Sequence, residues 1–258
     1  MILRRITEHV KAQNWTAVAL DFAIVVVGVF MGIQLGNWND ARANAAMERT
    51  IIAGVLDDVE SDIEQLDNSI DMGVLGAQAA NHLLIAAELE PFTEFRTPIP
   101  IVLLSGVGVP SLEPAELSEA VRSQIWTAIC VRYFPPQSDA TLSGLIAAGN
   151  LSLIQDTNLV QELQKYNLLW TGMTVSSNGT YRPFRDRLVF VGQEYGLSPF
   201  KRVSEEELVA LVKANPKLEG AVRTMLEYGT AQIAQMVGLR EEAETLAGEL
   251  RAALDEQE

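Results

Sequence analysis

The pattern of apolar and polar positions separates one long apolar run from a series of amphipathic segments. The run lies between Trp15 and Trp38, and Asp21 is its only ionisable residue. A helix over residues 15–38 is long enough to cross the roughly 30 Å hydrocarbon core of a bilayer at about 1.5 Å per residue. Trp15 and Trp38 stand where aromatic residues anchor such helices at the two membrane interfaces. The pattern therefore predicts a transmembrane helix at 15–38.

Beyond Trp38 the helical pattern continues without a break. Apolar residues recur at alternating spacings of about four and three, which is typical of a heptad seam; they are Ile52, Leu56, Val59, Ile63, Leu66 and Ile70. Five prolines between residues 88 and 114 interrupt this rhythm. Residues 99–109 are apolar, but they are too few and too proline-interrupted to cross a membrane.

Helical periodicity returns in the second half of the chain. It predicts helices over residues 113–133, 141–148, 157–176, 183–195, 205–215 and 217–254, with a kink near 176–179. Asp156 and Ser204 are predicted N-caps, and Gly149 is a predicted C-terminal glycine. No segment shows convincing strand alternation. We therefore expect an all-α fold, in which an N-terminal transmembrane helix continues into a long-helix extracytoplasmic bundle.

The charges around the apolar run predict its orientation. Three basic residues (Arg4, Arg5, Lys11) precede it and two (Arg42, Arg49) follow it. Because cytoplasmic flanks carry the excess of Lys and Arg, the N-terminus is predicted to lie inside, although by a narrow margin. This gives a basic amphipathic cytoplasmic or interfacial segment at 1–14, the membrane helix at 15–38, and a periplasmic helical domain at 39–258. The expected location is a bacterial inner membrane.

A cleaved signal peptide is the main alternative to an anchor. Residues Ala43, Asn44 and Ala45 resemble a small-residue cleavage site. The apolar run is longer than the 7–15 residues usual for a signal peptide, and the tripeptide lies well beyond its end. An uncleaved anchor is therefore favoured.

The membrane run also carries a candidate helix contact. Gly28, Gly32 and Gly36 follow one another at intervals of four, which allows close approach of a second helix. Asp21 projects within about 20° of Gly28, and an acid at that depth is costly when it faces lipid. We expect a homo-oligomer, or another membrane protein, to contact this face. The alternative is that Asp21 reaches the interface and that the glycines are ordinary for membrane helices.

The overall charge limits the possible partners. Acidic residues outnumber basic ones 34 to 19, for a net charge of −15. Binding to nucleic acid is therefore not expected, because it requires clustered Lys and Arg. Residues 50–95 contain ten acids and no base. These acids form either a solvated surface or a docking face for basic groups, which within the chain could come from Arg182, Arg185, Arg187, Lys201 and Arg202.

No catalytic, cofactor or metal site is predicted. His82 has no ligand-forming residue at helical spacing, and Cys130 is interpreted as a small buried hydrophobe. Gly106 and Gly108 lack the rest of a phosphate-binding loop. The carboxylates are expected to keep ordinary pKa values on a solvated helix. We therefore expect the periplasmic helical domain to act in protein–protein interaction or assembly without catalysis. Two alternatives to this function remain: a small-ligand sensor with an apolar cavity, or a membrane-tethered enzyme with a pocket lined by Arg122, Arg132, His82 or Tyr166.

Two stretches resemble a family of uncharacterised bacterial single-pass membrane proteins. The first ends the anchor with Gly32, Ile33, Gln34, Asn37, Trp38 and Asn39. The second is a glycine turn followed by a helix, here Gly149, Leu151, Leu153, Ile154, Asp156, Leu159, Leu163 and Tyr166. Ala148 departs from the Ser usual in that turn. The resemblance implies an inner-membrane protein of Gram-negative bacteria, and it carries over no activity or catalytic residue.

Overall fold

The computed structural model describes residues 15–93 and 116–256, with side chains from residue 20 onward except that of Asp21. The predicted basic segment at 1–14 lies outside the described residues. The same holds for the side chains of Trp15 and Asp21 and for the glycine pair at 106 and 108.

Within the described residues all regular secondary structure is helical, which confirms the all-α prediction. Eight α-helices are present there: α1 Trp15–Ala86, α2 Glu119–Arg122, α3 Ile125–Cys130, α4 Ala140–Ala148, α5 Thr157–Ser176, α6 Arg182–Glu194, α7 Glu205–Ala214 and α8 Pro216–Asp255. A 3-10 turn at Leu151–Leu153 precedes α5, and a π-helical turn at Ser177–Tyr181 joins α5 to α6.

The chain forms two compact units, Met1–Thr50 and Ile51–Glu258. In the first unit, the part of α1 from residue 22 to residue 47 is exposed along its whole length, including its large apolar side chains. This helix is long and apolar enough to cross a membrane by length and composition, and its apolar part is not buried by any other element described. The prediction of one long apolar N-terminal helix is confirmed.

The second unit has a continuous core. Helix α8 packs along α5, α6 and α7. Buried residues run along α8 from Leu218 to Leu250 and along α5 from Leu159 to Met173. The largest completely buried side chains include Trp126, Trp170 and Leu163.

The residues of the heptad seam of α1 differ in how deeply they are buried. Ile52, Val59 and Leu66 are buried as predicted. Leu56, Ile63 and Ile70 are half-buried and pack against the core, while the completely buried positions between them are Val55, Asp62 and Ser69. The second unit therefore buries a carboxyl and a hydroxyl where the apolar pattern favoured the neighbouring aliphatic residues.

The predicted helix ends are largely confirmed. Asp156 accepts hydrogen bonds from the backbone N–H groups of Asn158 and Leu159, and Ser204 accepts one from Glu207. Gly149 ends α4 with φ of 69°, a left-handed conformation that favours glycine. The predicted kink near 176–179 is the π-helical turn.

The single helix predicted over residues 113–133 is wrong. The described part contains two short helices, α2 and α3, separated at Ser123 and Gln124. Gln124 leaves the helical conformation with φ of −139°. In α3, Trp126 is buried against Gly192 of α6, where a Cβ would lie 2.9 Å from Cη2 of the indole ring.

Candidate functional site

The acidic face of α1 is engaged by its own chain. Arg240 of α8 pairs with Asp67, and Arg251 of α8 pairs with Glu60 at 2.6 Å. Asp58 accepts a hydrogen bond from the backbone N–H of Thr141 at 2.8 Å. Asp58, Glu60 and Asp67 therefore bind groups of the same chain, although the side chains of Glu60 and Asp67 remain partly exposed. The positive charge comes from α8 and not from the expected basic residues at 182–202.

Asp62 is the buried member of this face, with no exposed surface. It accepts hydrogen bonds from the backbone N–H of Ser138 at 2.6 Å and from the Tyr166 hydroxyl at 2.8 Å. Burial raises the pKa of Asp62 to about 6, against the opposing effect of these hydrogen bonds, and the nearby Asp58 raises it further. The expectation of ordinary carboxylate pKa values is wrong at this position.

A second cluster joins α1, α2 and the start of α7. The two carboxylate oxygens of Glu205 bind different partners: Oε1 lies 2.7 Å from His82 Nε2, and Oε2 lies 2.8 Å from Arg122 Nε. Burial acts to raise the pKa of Glu205, but the hydrogen bonds and charges of His82 and Arg122 leave it below its usual value. Within the described residues no three metal-ligating side chains come together. This cluster ties three elements of the second unit together.

We expect Glu205→Gln to lower the free energy of unfolding by about 1 kcal/mol at pH 7, because the substitution removes the charge that both partners bind. A lowered pKa means that this contribution is present above the unfolded pKa and is lost as the pH falls through the folded one. Urea titration in detergent at pH 7 and pH 4 measures it. The neighbouring exposed Glu206→Gln is the matched control, and an equal loss in both variants would refute the assignment.

Cys130 is a buried free thiol, as its sequence context predicted. Burial raises the pKa of Cys130 to about 12. A thiol in that state is almost entirely protonated at neutral pH and is a poor nucleophile. It contributes to the core.

The four side chains suggested for an enzyme pocket do not converge. Arg122 and His82 meet at Glu205, and Tyr166 binds Asp62. Arg132 lies with Tyr181 at a different pocket, near Gly229 of α8. The prediction that these four side chains could line one pocket is therefore wrong.

The pocket beside Arg132 is the most chemically distinctive cavity in the described part of the chain. It measures about 190 Å³. Its walls come from four parts of the second unit: the non-helical segment after α3, the π-helical turn, α6 and α8. The lining residues are Arg132, Tyr133, Phe134, Ser177, Asn178, Tyr181, Arg182, Arg185 and Gln232. Short π-helical turns inside helices are frequent at functional sites.

Arg132 is held in place by α8. Its Nη1 donates a hydrogen bond to the carbonyl oxygen of Gly229 at 3.1 Å. A Cβ at position 229 would overlap the guanidinium group, so glycine is required for this approach. Burial lowers the pKa of Arg132 to about 10, which still leaves it charged at neutral pH. No carboxylate among the described residues forms an ion pair with it.

The charge of this pocket is opposite to that of the chain. Three arginines line it and none of its lining residues is acidic, although the whole chain carries a net charge of −15. Arg185 pairs with Asp186, whereas Arg182 is exposed and has no ion-pair partner among the described residues. The sequence offered only a weak signal for this site, the polar run 176–180 followed closely by two arginines, because its other walls come from distant segments.

The predicted membrane contact residues lie on an open surface of the first unit. Gly28, Gly32 and Gly36 are exposed, and a Cβ at any of them would meet nothing within 4 Å. Trp38 is exposed, with the Arg42 guanidinium 5.8 Å from its ring centre. The side chains of Asp21 and Trp15 lie outside the described part, so the contact between Asp21 and the glycine face stays a prediction.

The resemblance to uncharacterised single-pass membrane proteins also stays a prediction. Comparison of the chain with protein-family models, with curated proteins and with solved structures found no match.

Proposed function

We propose that this protein is a single-pass inner-membrane protein whose helical domain acts in protein–protein interaction or assembly. The observation that carries the proposal is the exposed apolar stretch of α1 at residues 22–38, with every residue of it open to the surroundings. The second unit, in contrast, buries most of its apolar side chains in one core. A contiguous apolar surface of this length is accommodated by lipid or by another protein.

The proposed membrane contact uses one face of this helix. At about 100° per residue, Gly28, Gly32 and Gly36 share a face that also includes Asp21. Small residues allow backbones to approach closely in lipid, where packing drives association because the hydrophobic effect does not. An acid in the same direction gains a polar partner only if another helix, or a second copy of this one, covers it.

We expect Gly32→Leu to abolish self-association or co-purification of a membrane partner, because the larger side chain separates the two backbones. Asp21→Ala is expected to weaken the same contact. The measurement is the mass of the full chain in mild detergent by light scattering, together with cross-linking in membranes. Ala23→Leu is the matched control, since residue 23 lies about 180° from the centre of the glycine face.

The assembly proposal fails if the wild-type chain is alone and monomeric in both measurements. It also fails if neither Gly32→Leu nor Asp21→Ala changes the assembly, or if Ala23→Leu changes it equally.

Orientation and anchoring need a separate measurement. A C-terminal reporter that is active only outside the cytoplasm should be active, because the positive flank predicts an inside N-terminus. The mass of the purified protein distinguishes an uncleaved anchor from a signal peptide cut near Ala45. A reporter active only in the cytoplasm, or loss of the first 45 residues, would contradict the proposed topology.

A further inference from the structure

We infer that the Arg132 pocket binds a small organic anion whose carboxylate or phosphate group is held by the arginines. The inference goes beyond the proposed assembly function and concerns the second unit alone. It rests on the charge of the pocket, on the hydrogen bond that orients Arg132 and on the size of the cavity.

The charge of the pocket calls for an anion. Arg132, Arg182 and Arg185 line one cavity with no acidic lining residue, and of the three only Arg185 pairs with a carboxylate among the described residues, that of Asp186. Arg132 is half-buried and has no ion-pair partner among the described residues, so an anion in the cavity would supply the missing counter-charge. The other charged clusters of the second unit satisfy their cations with carboxylates of the same chain, as Arg240 does with Asp67.

The donors of the pocket fit an oxyanion. A guanidinium carries five N–H donors in a planar fork that matches carboxylate and phosphate oxygens. Arg132 uses one described hydrogen bond, to Gly229, which orients the group and leaves the other donors available to the cavity. Ser177, Asn178 and Gln232 add neutral polar groups to the walls, and Gln232 is already bonded to Ser177 at 3.2 Å.

The size and apolar walls restrict the rest of the ligand. The cavity measures about 190 Å³ and is open on one side, which leaves room for a small organic molecule. Tyr133, Phe134 and Tyr181 provide flat apolar surfaces for a short carbon skeleton. The cavity expected of a sensor was apolar, and this one is instead half polar and cationic.

Calorimetric titration of the full chain in neutral detergent tests the inference with three probes, benzoate, succinate and inorganic phosphate. We expect saturable one-to-one binding of at least one probe and no binding of benzamide, the neutral analogue of benzoate. Tighter binding of the two carboxylates identifies a carboxylate ligand, and tighter binding of phosphate identifies a phosphate ester.

Arg182→Gln should weaken the binding about tenfold, since one charged donor is lost from the rim. Because Arg182 is exposed and unpaired in the described structure, this substitution should leave the unfolding midpoint unchanged. Arg187→Gln, on the same helix but outside the pocket, is the matched control and should bind as the wild type does. Absence of saturable binding by all three anions would overturn the inference, and so would equal weakening in the Arg187→Gln control.

Discussion

Asp62→Ala is expected to lower the free energy of unfolding by about 3 kcal/mol at pH 5, the largest effect we expect from one substitution in the helical domain. The substitution leaves the backbone N–H of Ser138 and the hydroxyl of Tyr166 without their acceptor. Each unsatisfied buried donor costs about 1–3 kcal/mol, and the shortened side chain also leaves a cavity. Urea titration of the full chain in detergent, followed by circular dichroism, measures the change.

Asp62→Asn separates the hydrogen bonds from the charge. The amide keeps an acceptor for Ser138 and can donate to the Tyr166 oxygen, so the cost at pH 5 should stay below about 1 kcal/mol. The pKa of Asp62 in the folded chain is raised to about 6, so the folded state binds more protons than the unfolded state between about pH 4 and pH 6. The stability of the wild type therefore falls as the pH rises through this window.

The asparagine variant lacks that proton, and it should gain about 2 kcal/mol relative to the wild type between pH 4 and pH 7. Asp57→Asn, at an exposed position on the same helix, should show no such gain. An unchanged difference between Asp62→Asn and wild type across this range would refute the raised pKa. A mild effect of Asp62→Ala at pH 5 would refute the role of the two hydrogen bonds.

The position of Asp62 shows where local sequence reasoning ends. Periodicity placed Ile52, Val59 and Leu66 inside correctly, because these residues carry the heptad spacing. The same periodicity favoured Ile63 over Asp62 as a core position, because no residue near 62 in the sequence indicates the two donors that bind the Asp62 carboxyl. Those donors come from positions 138 and 166, and only the tertiary fold brings them to α1.

Helix ends were predictable for a related reason. The caps at Asp156 and Ser204 and the glycine at 149 depend on residues within about one turn, so the sequence contains their full cause. The burial of Trp126 in α3 depends on a distant residue, because it requires the space that Gly192 leaves on α6. The pocket at Arg132 also depends on a residue distant in sequence, because the carbonyl oxygen of Gly229 in α8 accepts the hydrogen bond that orients the guanidinium.

The apolar stretch of α1 was the clearest sequence signal, and its prediction needed no tertiary information. Between residues 22 and 38 it contains nine Leu, Ile, Val and Phe residues. At about 0.3–0.6 kcal/mol each near the centre of a membrane helix, they favour insertion by about 4 kcal/mol in total. The structure leaves all nine exposed, so no protein core of the described chain competes with lipid for them.

Val26→Arg together with Phe30→Arg is therefore expected to release the chain from the membrane. Each arginine near the helix centre costs about 2.5–3.5 kcal/mol, and two of them exceed the roughly 3 kcal/mol that the remaining apolar residues supply. The wild type should stay in the membrane pellet after alkaline carbonate extraction, and the double variant should move to the supernatant. Both positions point away from the glycine face, so the result reports insertion independently of helix association.

The double variant Val26→Leu with Phe30→Leu is the control, because it keeps the helix apolar and should remain in the pellet. Extraction of the wild type by carbonate, or retention of the arginine variant, would refute the membrane helix itself.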